Sequence, residues 1–145
     1  MKESKELSLK LFVVLSRAIE AVEKAVAKDA KRYNLNLTEF GVLEFLFHKG
    51  EQPIQIIGKK VLLASSSITY VVDKLEKKEL IERVACPKDR RVTYARLTDK
   101  GKTLMEEIFP LHEEAMAHIF SELSNDEKAE AIRLVKKIGL FAETI

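Results

Sequence analysis

Hydrophobic residues recur every three or four positions near the start of the chain, a period that is typical of amphipathic helices. This stripe begins at Leu7 and continues to about Lys31, so we expect a long first helix there. Polar residues then interrupt the stripe. Thr38 is placed to cap a second helix, Glu39 to His48, which Gly50 ends.

The middle of the chain predicts two shorter helices and a β-hairpin. Pro53 suits the first position of a third helix that runs to about Lys60. Residues 64–80 predict a fourth helix, which serine hydroxyls cap and whose buried face is formed by Ile68, Val71, Val72 and Leu75. Alternating apolar and polar residues then predict two strands, 81–86 and 92–97.

Two more helices are predicted after the hairpin. Thr98 caps a long fifth helix, in which Pro110 should impose a kink. Ser124 caps the sixth helix, and Glu127 completes a capping box with it. The predicted fold is mainly α with a small β-hairpin wing: a winged helix-turn-helix with flanking long dimerisation helices. We expect residues 35–100 to form the winged-helix part of the protein, called the lobe below. Residues 1–34 and 101–145 are expected to form a helical dimerisation region.

Composition narrows the class of protein. The 145 residues, 46% hydrophobic and 33% charged, suit one folded domain. We expect a cytoplasmic protein without a membrane partner, since the sequence has no apolar run of 18 residues and no signal-peptide pattern. A single cysteine excludes an intramolecular disulfide, and three scattered histidines do not indicate a metal site. No catalytic motif is recognisable, so we expect neither a cofactor nor enzymatic activity.

Charge is unevenly distributed along the chain. Residues 54–102 contain twelve Lys or Arg and six Asp or Glu, whereas residues 103–145 contain four and nine. A basic segment beside an acidic one indicates a part of the chain that binds a polyanion.

The basic segment contains the predicted turn between the strands. Around Asp89 stand three cations, Lys88, Arg90 and Arg91, although a turn by itself needs none of them. An extended turn of this kind can place an arginine in the minor groove of double-stranded DNA. We expect Asp89 to hold Arg91 by a charge-assisted hydrogen bond and the other cations to contact phosphates. A merely solvated turn is the alternative.

In a helix-turn-helix the second helix of the pair, the recognition helix, reads bases from its N-terminal half. The fourth predicted helix suits this role because small hydroxyl residues and a tyrosine lie on its exposed face, followed by lysines that can contact phosphates. The candidate DNA contacts are Ser65, Ser66, Ser67, Thr69, Tyr70, Lys74 and Lys77. We expect Asp73, also on this face, to pair with a nearby cation.

The segment "ITYVVDKLEKKELIERVACPKDRRVTYARLTDKG" resembles the DNA-binding signature of the MarR family of bacterial transcriptional regulators. The matching features are the "DKLEKK" helix end, the "LIER" strand entry, the "DRR" wing and the "LTDKG" entry to the fifth helix; length and element order also match. The resemblance implies a homodimer joined through the first and last helices. It also implies repression at a palindromic operator, relieved by a small phenolic ligand or an oxidant, as in the quinone-responsive branch.

Two positions depart from the family pattern. Glu79 stands where glycine is usual after the recognition helix, which costs about 1 kcal/mol if a left-handed conformation is kept. Tyr70 stands where a basic residue is frequent, so the operator sequence cannot be carried over.

The terminal helices are rich in apolar residues for a single subunit, which favours packing between subunits. A larger monomeric core is the alternative. The residues expected in the interface are Leu7, Leu11, Leu15, Ile119, Leu123, Ile132, Val135, Ile138 and Phe141.

The resemblance implies an effector pocket between the lobe and the dimerisation helices. Phe12, Phe40, Glu44 and His112 are our candidates, because two rings, a carboxylate and an imidazole suit a small aromatic or quinone ligand. Ordinary core packing around a structural Glu44–His112 pair is the alternative. Cys86 beside the wing offers another route, because alkylation or oxidation there could disturb the arm that holds Arg91. A protein-binding adaptor remains a further alternative to DNA binding.

Overall fold

The computed structural model describes residues 1–61 and 68–145. Within these ranges the chain forms six helices and three short strands. Helix α1 spans Lys2–Lys31, α2 Leu37–Lys49, α3 Ile54–Lys60, α4 Ile68–Lys77, α5 Asp99–Ile119 and α6 Asn125–Ala142. Strand β1 spans Gln52–Pro53, β2 Ile81–Ala85 and β3 Thr93–Leu97. The predicted order of helices and hairpin is confirmed, and so is the predominantly helical fold class.

The sheet contains one strand that the sequence did not predict. In the described residues the strand order is β1-β3-β2, with both pairs antiparallel. The hairpin pairs Ile81 with Leu97 and Ala85 with Thr93, whereas β1 adds only Gln52 opposite Ala95 and Pro53 opposite Tyr94. A two-residue strand has no alternation that could reveal it in a sequence.

Several helix ends follow the predicted signals. Gly50 adopts a positive φ of 76° at the end of α2, as expected for a glycine C-cap. The hydroxyl of Thr98 accepts a hydrogen bond from Gly101 N at 3.0 Å. Ser124 and Glu127 form the predicted capping box at the start of α6.

Other boundaries were predicted wrongly. Helix α1 begins at Lys2 rather than Leu7. The cap of α2 is Asn36 and not Thr38, because Asn36 accepts a hydrogen bond from Glu39 N at 2.7 Å. Helix α5 continues through Pro110 as predicted, and the kink expected there stays a prediction. The serines expected to cap the fourth helix lie outside the described residues.

The hydrophobic core lies where the lobe's elements meet. Side chains of α2, α3 and α4 pack against the sheet and against the first half of α5. Among the described residues, every buried hydrophobic side chain falls between Ala30 and Ile108. No helix in the described part of the chain combines the length and apolar character needed to cross a bilayer.

Candidate nucleic-acid interface

At the tip of the wing, Arg91 is both exposed and held in position. Arg91 donates from Nε to Asp89 Oδ1 at 3.1 Å and from Nη2 to Asp89 Oδ2 at 3.3 Å. Its backbone N–H also donates to Asp89 Oδ1, at 3.0 Å. These bonds lower the pKa of Asp89 below its usual range, so its carboxylate stays ionised at neutral pH. The predicted Asp89–Arg91 bond is confirmed, and 90% of the Arg91 side chain remains exposed.

The turn that carries this pair is closed by backbone hydrogen bonds. Val92 N donates to Asp89 O at 3.1 Å, and Cys86 N donates to Val92 O at 3.1 Å. Lys88 and Arg90 are exposed at the same tip. The structure therefore brings the three predicted cations to one end of the hairpin.

The described part of α4 presents polar side chains opposite its buried face. Thr69, Tyr70 and Lys77 are exposed, and Lys74 is half-buried. Val71, Val72 and Leu75 are buried, as predicted. Ser65, Ser66 and Ser67, the other candidate base contacts, lie outside the described residues. A groove of about 250 Å³ separates the start of α4 from the wing, and its walls include Thr69, Arg91 and Thr93.

Helix α4 is joined to strand β2 by one arginine. Arg83 donates from Nη2 to Asp73 Oδ1 at 2.5 Å and from Nη1 to Glu76 Oε1 at 2.6 Å. These bonds, the one to Asp73 foremost, raise the pKa of the Arg83 guanidinium. The expectation that Asp73 pairs with a nearby cation is confirmed.

The other end of α4 is attached to α2 through a buried carboxylate. Glu39 is 2% exposed and accepts from Asn36 N at 3.0 Å and from Lys78 Nζ at 2.8 Å. Lys78 also donates to the carbonyl of Asn34 at 2.9 Å. Sequence reasoning missed this residue, although its spacing from Asn36 is that of a capping box.

The chain leaves this helix through a left-handed residue. Glu79 has φ of 63°, so the left-handed conformation is kept where the family usually has glycine. The Thr98 hydroxyl donates to the carbonyl of Glu79 at 2.6 Å. This bond ties the turn after α4 to the start of α5.

Three of the four candidate effector residues come together between α1, α2 and α5. The rings of Phe40 and His112 lie 4.5 Å apart between centroids. His112 Nε2 is 3.4 Å from Glu44 Oε2, and its Nδ1 is 3.6 Å from Oδ2 of Asp29, which is 7% exposed. Asp29 was not predicted, because nothing local in the sequence indicates that it faces α5.

The fourth candidate lies apart from this cluster within its own chain. Phe12 is 71% exposed on the first half of α1. Phe12 precedes Asp29 by seventeen positions of helix, a distance of roughly 25 Å. The side chain was expected beside Phe40, and the structure places it on an open helical surface instead.

A cavity of about 500 Å³ opens beside the cluster, between α1, α2 and the end of α3. Of the predicted effector residues only Glu44 lines it. Residues outside the four pocket candidates complete the wall: Glu23, Leu37, Gly41, Phe45, His48, Lys49, Lys60 and Val61. Its volume is within the range of small-molecule sites.

The thiol of Cys86 is half-buried at the base of the wing turn. Its backbone is part of the hairpin, three residues before Asp89. A bulky group added to this sulfur would therefore lie close to the turn that orients Arg91.

The terminal helices leave apolar surface uncovered. Helix α6 has no buried residue among those described, and Val135 and Ile138 are 50% and 38% exposed. Leu7 and Leu11 of α1 are 60% and 50% exposed. Exposed apolar side chains that recur along two helices are typical of a protein–protein interface.

Comparison with known proteins gives consistent results. The MarR family model matches residues 35–93. The chain is 52% identical to the HTH-type transcriptional regulator MhqR of Bacillus subtilis (strain 168), over 95% of both chains. It is 42% identical to the HTH-type transcriptional regulator YkoM of the same strain, over 98% of this chain and 92% of the relative.

Solved structures share the fold. Sco3205, a MarR family transcriptional regulator from Streptomyces coelicolor solved in complex with DNA, superposes with a TM-score of 0.81. The match covers 96% of this chain and 88% of that one at 20% sequence identity.

Proposed function

Because the chain belongs to the MarR family of DNA-binding transcriptional regulators, we propose that it is a repressor that binds a palindromic operator as a homodimer. Each copy places the N-terminal part of α4 in the major groove and its wing in the adjacent minor groove. The Asp89–Arg91 pair carries this proposal. The Arg91 guanidinium donates two hydrogen bonds to Asp89, and the Arg91 backbone N–H donates a third, yet 90% of the side chain is exposed. The side chain is therefore presented to solvent at little further entropic cost.

The uncovered apolar side chains of α1 and α6 support the homodimer. A second copy would remove them from water, and a twofold arrangement presents two recognition helices and two wings to the two halves of an inverted repeat. Each half-site alone binds weakly, and linkage of the two makes the complex tight.

The wing contact is tested by Arg91→Ala against the duplex that the wild type selects from a randomised DNA library. We expect affinity to fall by roughly 1–3 kcal/mol. Arg96→Ala is the matched control, since Arg96 is also exposed and paired, with Glu82, but stands at the base of the same hairpin. Equal effects of the two substitutions would contradict the wing contact.

A protein-binding adaptor is separated from a DNA-binding repressor by salt. Several phosphate contacts predict that log affinity for the selected duplex falls steeply and linearly with log salt concentration. Failure to enrich any duplex at low ionic strength would favour the adaptor.

We further propose that a small aromatic, phenolic or quinone-type compound occupies the cavity beside Glu44. The cavity lies between α1, which leads to the proposed dimer interface, and α2, which packs on α4. A ligand bound there favours one spacing of the two recognition helices over another, and DNA affinity changes accordingly. Glu44 supports this role because it faces the cavity while also contacting His112.

Modification of Cys86 is the alternative, and one experiment separates the two routes. Release of the selected duplex is measured with a benzoquinone and with the hydroquinone that carries the same ring substituents. Cavity binding predicts that both compounds release DNA from Cys86→Ser and that Glu44→Gln responds weakly. Glu20→Gln, on an exposed part of α1, is the control. If Cys86→Ser no longer responds and the hydroquinone does not release DNA from the wild type, the cavity proposal is wrong. The compound would then act by modifying the Cys86 thiol.

A further inference from the structure

Arg83 connects β2, the strand that leads to the wing, to the recognition helix α4. Two nitrogens of its side chain donate hydrogen bonds to carboxylates of that helix. Its Nη2 and Nη1 reach Asp73 and Glu76 at 2.5 Å and 2.6 Å. The Arg83 side chain is 29% exposed, less than either carboxylate, at 52% and 42%. A planar guanidinium that binds two carboxylates in a fork fixes direction as well as distance.

The two ends of this connection belong to the two parts of the protein that the proposed function brings to DNA. Asp73 and Glu76 follow Thr69 and Tyr70 on α4, and Arg83 is on β2, the strand that leads to the wing tip. Both parts have to reach adjacent grooves of the same duplex at once. Their relative position therefore decides whether Arg91 reaches its groove when α4 is seated.

The charges of Asp73 and Arg83 also indicate that their ion pair matters for DNA binding. Asp73 is an exposed carboxylate on a helix face that approaches phosphates, where it would weaken binding if it acted alone. Its bond to Arg83 offsets that repulsion. The bonds to Asp73 and Glu76 direct the two Nη groups of Arg83 towards α4, so this arginine need not contact a phosphate.

We propose that Arg83 is a positioning residue, which holds the wing at the spacing from α4 that lets Arg91 enter the minor groove. The inference rests on the proposed wing contact. Its distinctive consequence is that the contribution of Arg91 depends on Arg83, although the two side chains belong to separate ion pairs.

The test is a double-mutant cycle on the selected duplex, with Arg83→Met, Arg91→Ala and the combination. Arg83→Met weakens binding by about tenfold, and the loss caused by Arg91→Ala becomes several-fold smaller in the Arg83→Met background. Additive effects would overturn the positioning role while leaving the wing contact intact. An Arg91→Ala protein that binds like the wild type would overturn both.

Arg96→Met supplies the matched cycle. Arg96 lies on the neighbouring strand and donates to Glu82 at 2.6 Å, without reaching α4. Its effect is small and adds to that of Arg91→Ala. Equal coupling of Arg83 and Arg96 to Arg91 would mean that the hairpin responds to any lost ion pair, and would overturn a specific role of Arg83.

Substituting the two carboxylates distinguishes a positioning effect on DNA affinity from a purely electrostatic one. These variants also test the proposal if Arg83→Met does not fold. Asp73→Asn with Glu76→Gln removes two negative charges near DNA, so simple electrostatics predicts tighter binding. Positioning predicts binding weakened several-fold, because Arg83 loses both acceptors. Arg83→Lys keeps the charge without the fork, and recovers only part of the affinity. Tighter binding by the carboxylate variant, or full recovery by lysine, would overturn the proposal.

Discussion

The lobe and the terminal helices solve the problem of burying apolar surface in different ways. In the lobe, α2, α3, α4 and the sheet supply each other's contacts, and residues such as Leu43, Ile57 and Leu75 have no exposed surface. In α6, and in the first half of α1, apolar residues such as Ile132 and Phe12 remain 60% and 71% exposed. The lobe buries its apolar residues within one chain, whereas the terminal helices leave many of theirs exposed.

This difference teaches where each part gets its stability. Buried apolar area stabilises the lobe whatever the protein concentration, at roughly 25 cal/mol per Å². For the terminal helices the same gain requires association, so it depends on concentration. Substitutions in the two regions should therefore differ in what they change: folding of each chain in one case, pairing of chains in the other.

The largest effect is expected at the start of α5, where the backbone packs against the lobe without room for a Cβ. A Cβ at Gly101 would overlap the carbonyl oxygen of Leu80, a backbone atom that cannot move independently of the strand entry. Gly101→Ala should lower the free energy of unfolding by about 4 kcal/mol or more. Gly139→Ala, where a Cβ meets nothing within 4 Å, is the control. Chemical denaturation measures both, and equal midpoints would contradict the packing described.

The next largest effect is expected from substitutions that prevent two chains from pairing. Val135→Asp with Ile138→Asp places charges on the uncovered face of α6, and we expect affinity for the selected duplex to fall by about 100-fold as the two half-sites become unlinked. Lys137→Asp changes an exposed polar position of the same helix and is expected to retain pairing. Far-UV circular dichroism should show a folded lobe in both. A double variant that stays paired would contradict the assigned interface.

A smaller loss is expected within the lobe at Glu39. Lys78→Met removes the cation 2.8 Å from this buried carboxylate. Since Lys78 is 28% exposed and Lys74 remains 4.0 Å away, we expect about 2 kcal/mol, below the roughly 3–5 kcal/mol of a fully buried pair. Lys77→Met, at an exposed position, should change the unfolding free energy little. Equal losses would show that Glu39 does not need Lys78.

The smallest effect has the opposite sign. Glu79→Gly should raise the free energy of unfolding by about 1 kcal/mol, because glycine adopts the φ of 63° without the steric cost that a Cβ imposes. Glu79→Ala retains the Cβ and should not stabilise. Thermal unfolding compares the two variants. If Glu79→Ala is also stabilised, loss of the negative charge and not relief of backbone strain would explain the higher free energy of unfolding.

The features that the sequence predicted correctly depend on interactions between residues that are close together in the chain. Gly50, Thr98, Ser124 and the Asp89–Arg91 pair act within a few residues, so their spacing alone revealed them. The exposed face of α4 followed from helical period in the same way.

The features missed depend on which elements meet in space. Asp29 faces His112 across 83 positions of sequence, and the buried Glu39 pairs with Lys78, which directly follows α4. Phe12 was assigned to the pocket by chemical type, but α1 extends beyond the lobe and carries it away. The division into residues 35–100 and a dimerisation region stays a prediction, as does the effector.

The central claim is that two chains, joined through their terminal helices, hold one duplex. It is tested most directly by native mass spectrometry of the protein bound to its selected duplex. We predict two chains per duplex, together with an inverted repeat in the selected sequence whose half-sites are about one helical turn apart. One chain per duplex, on a sequence without internal symmetry, would contradict the account.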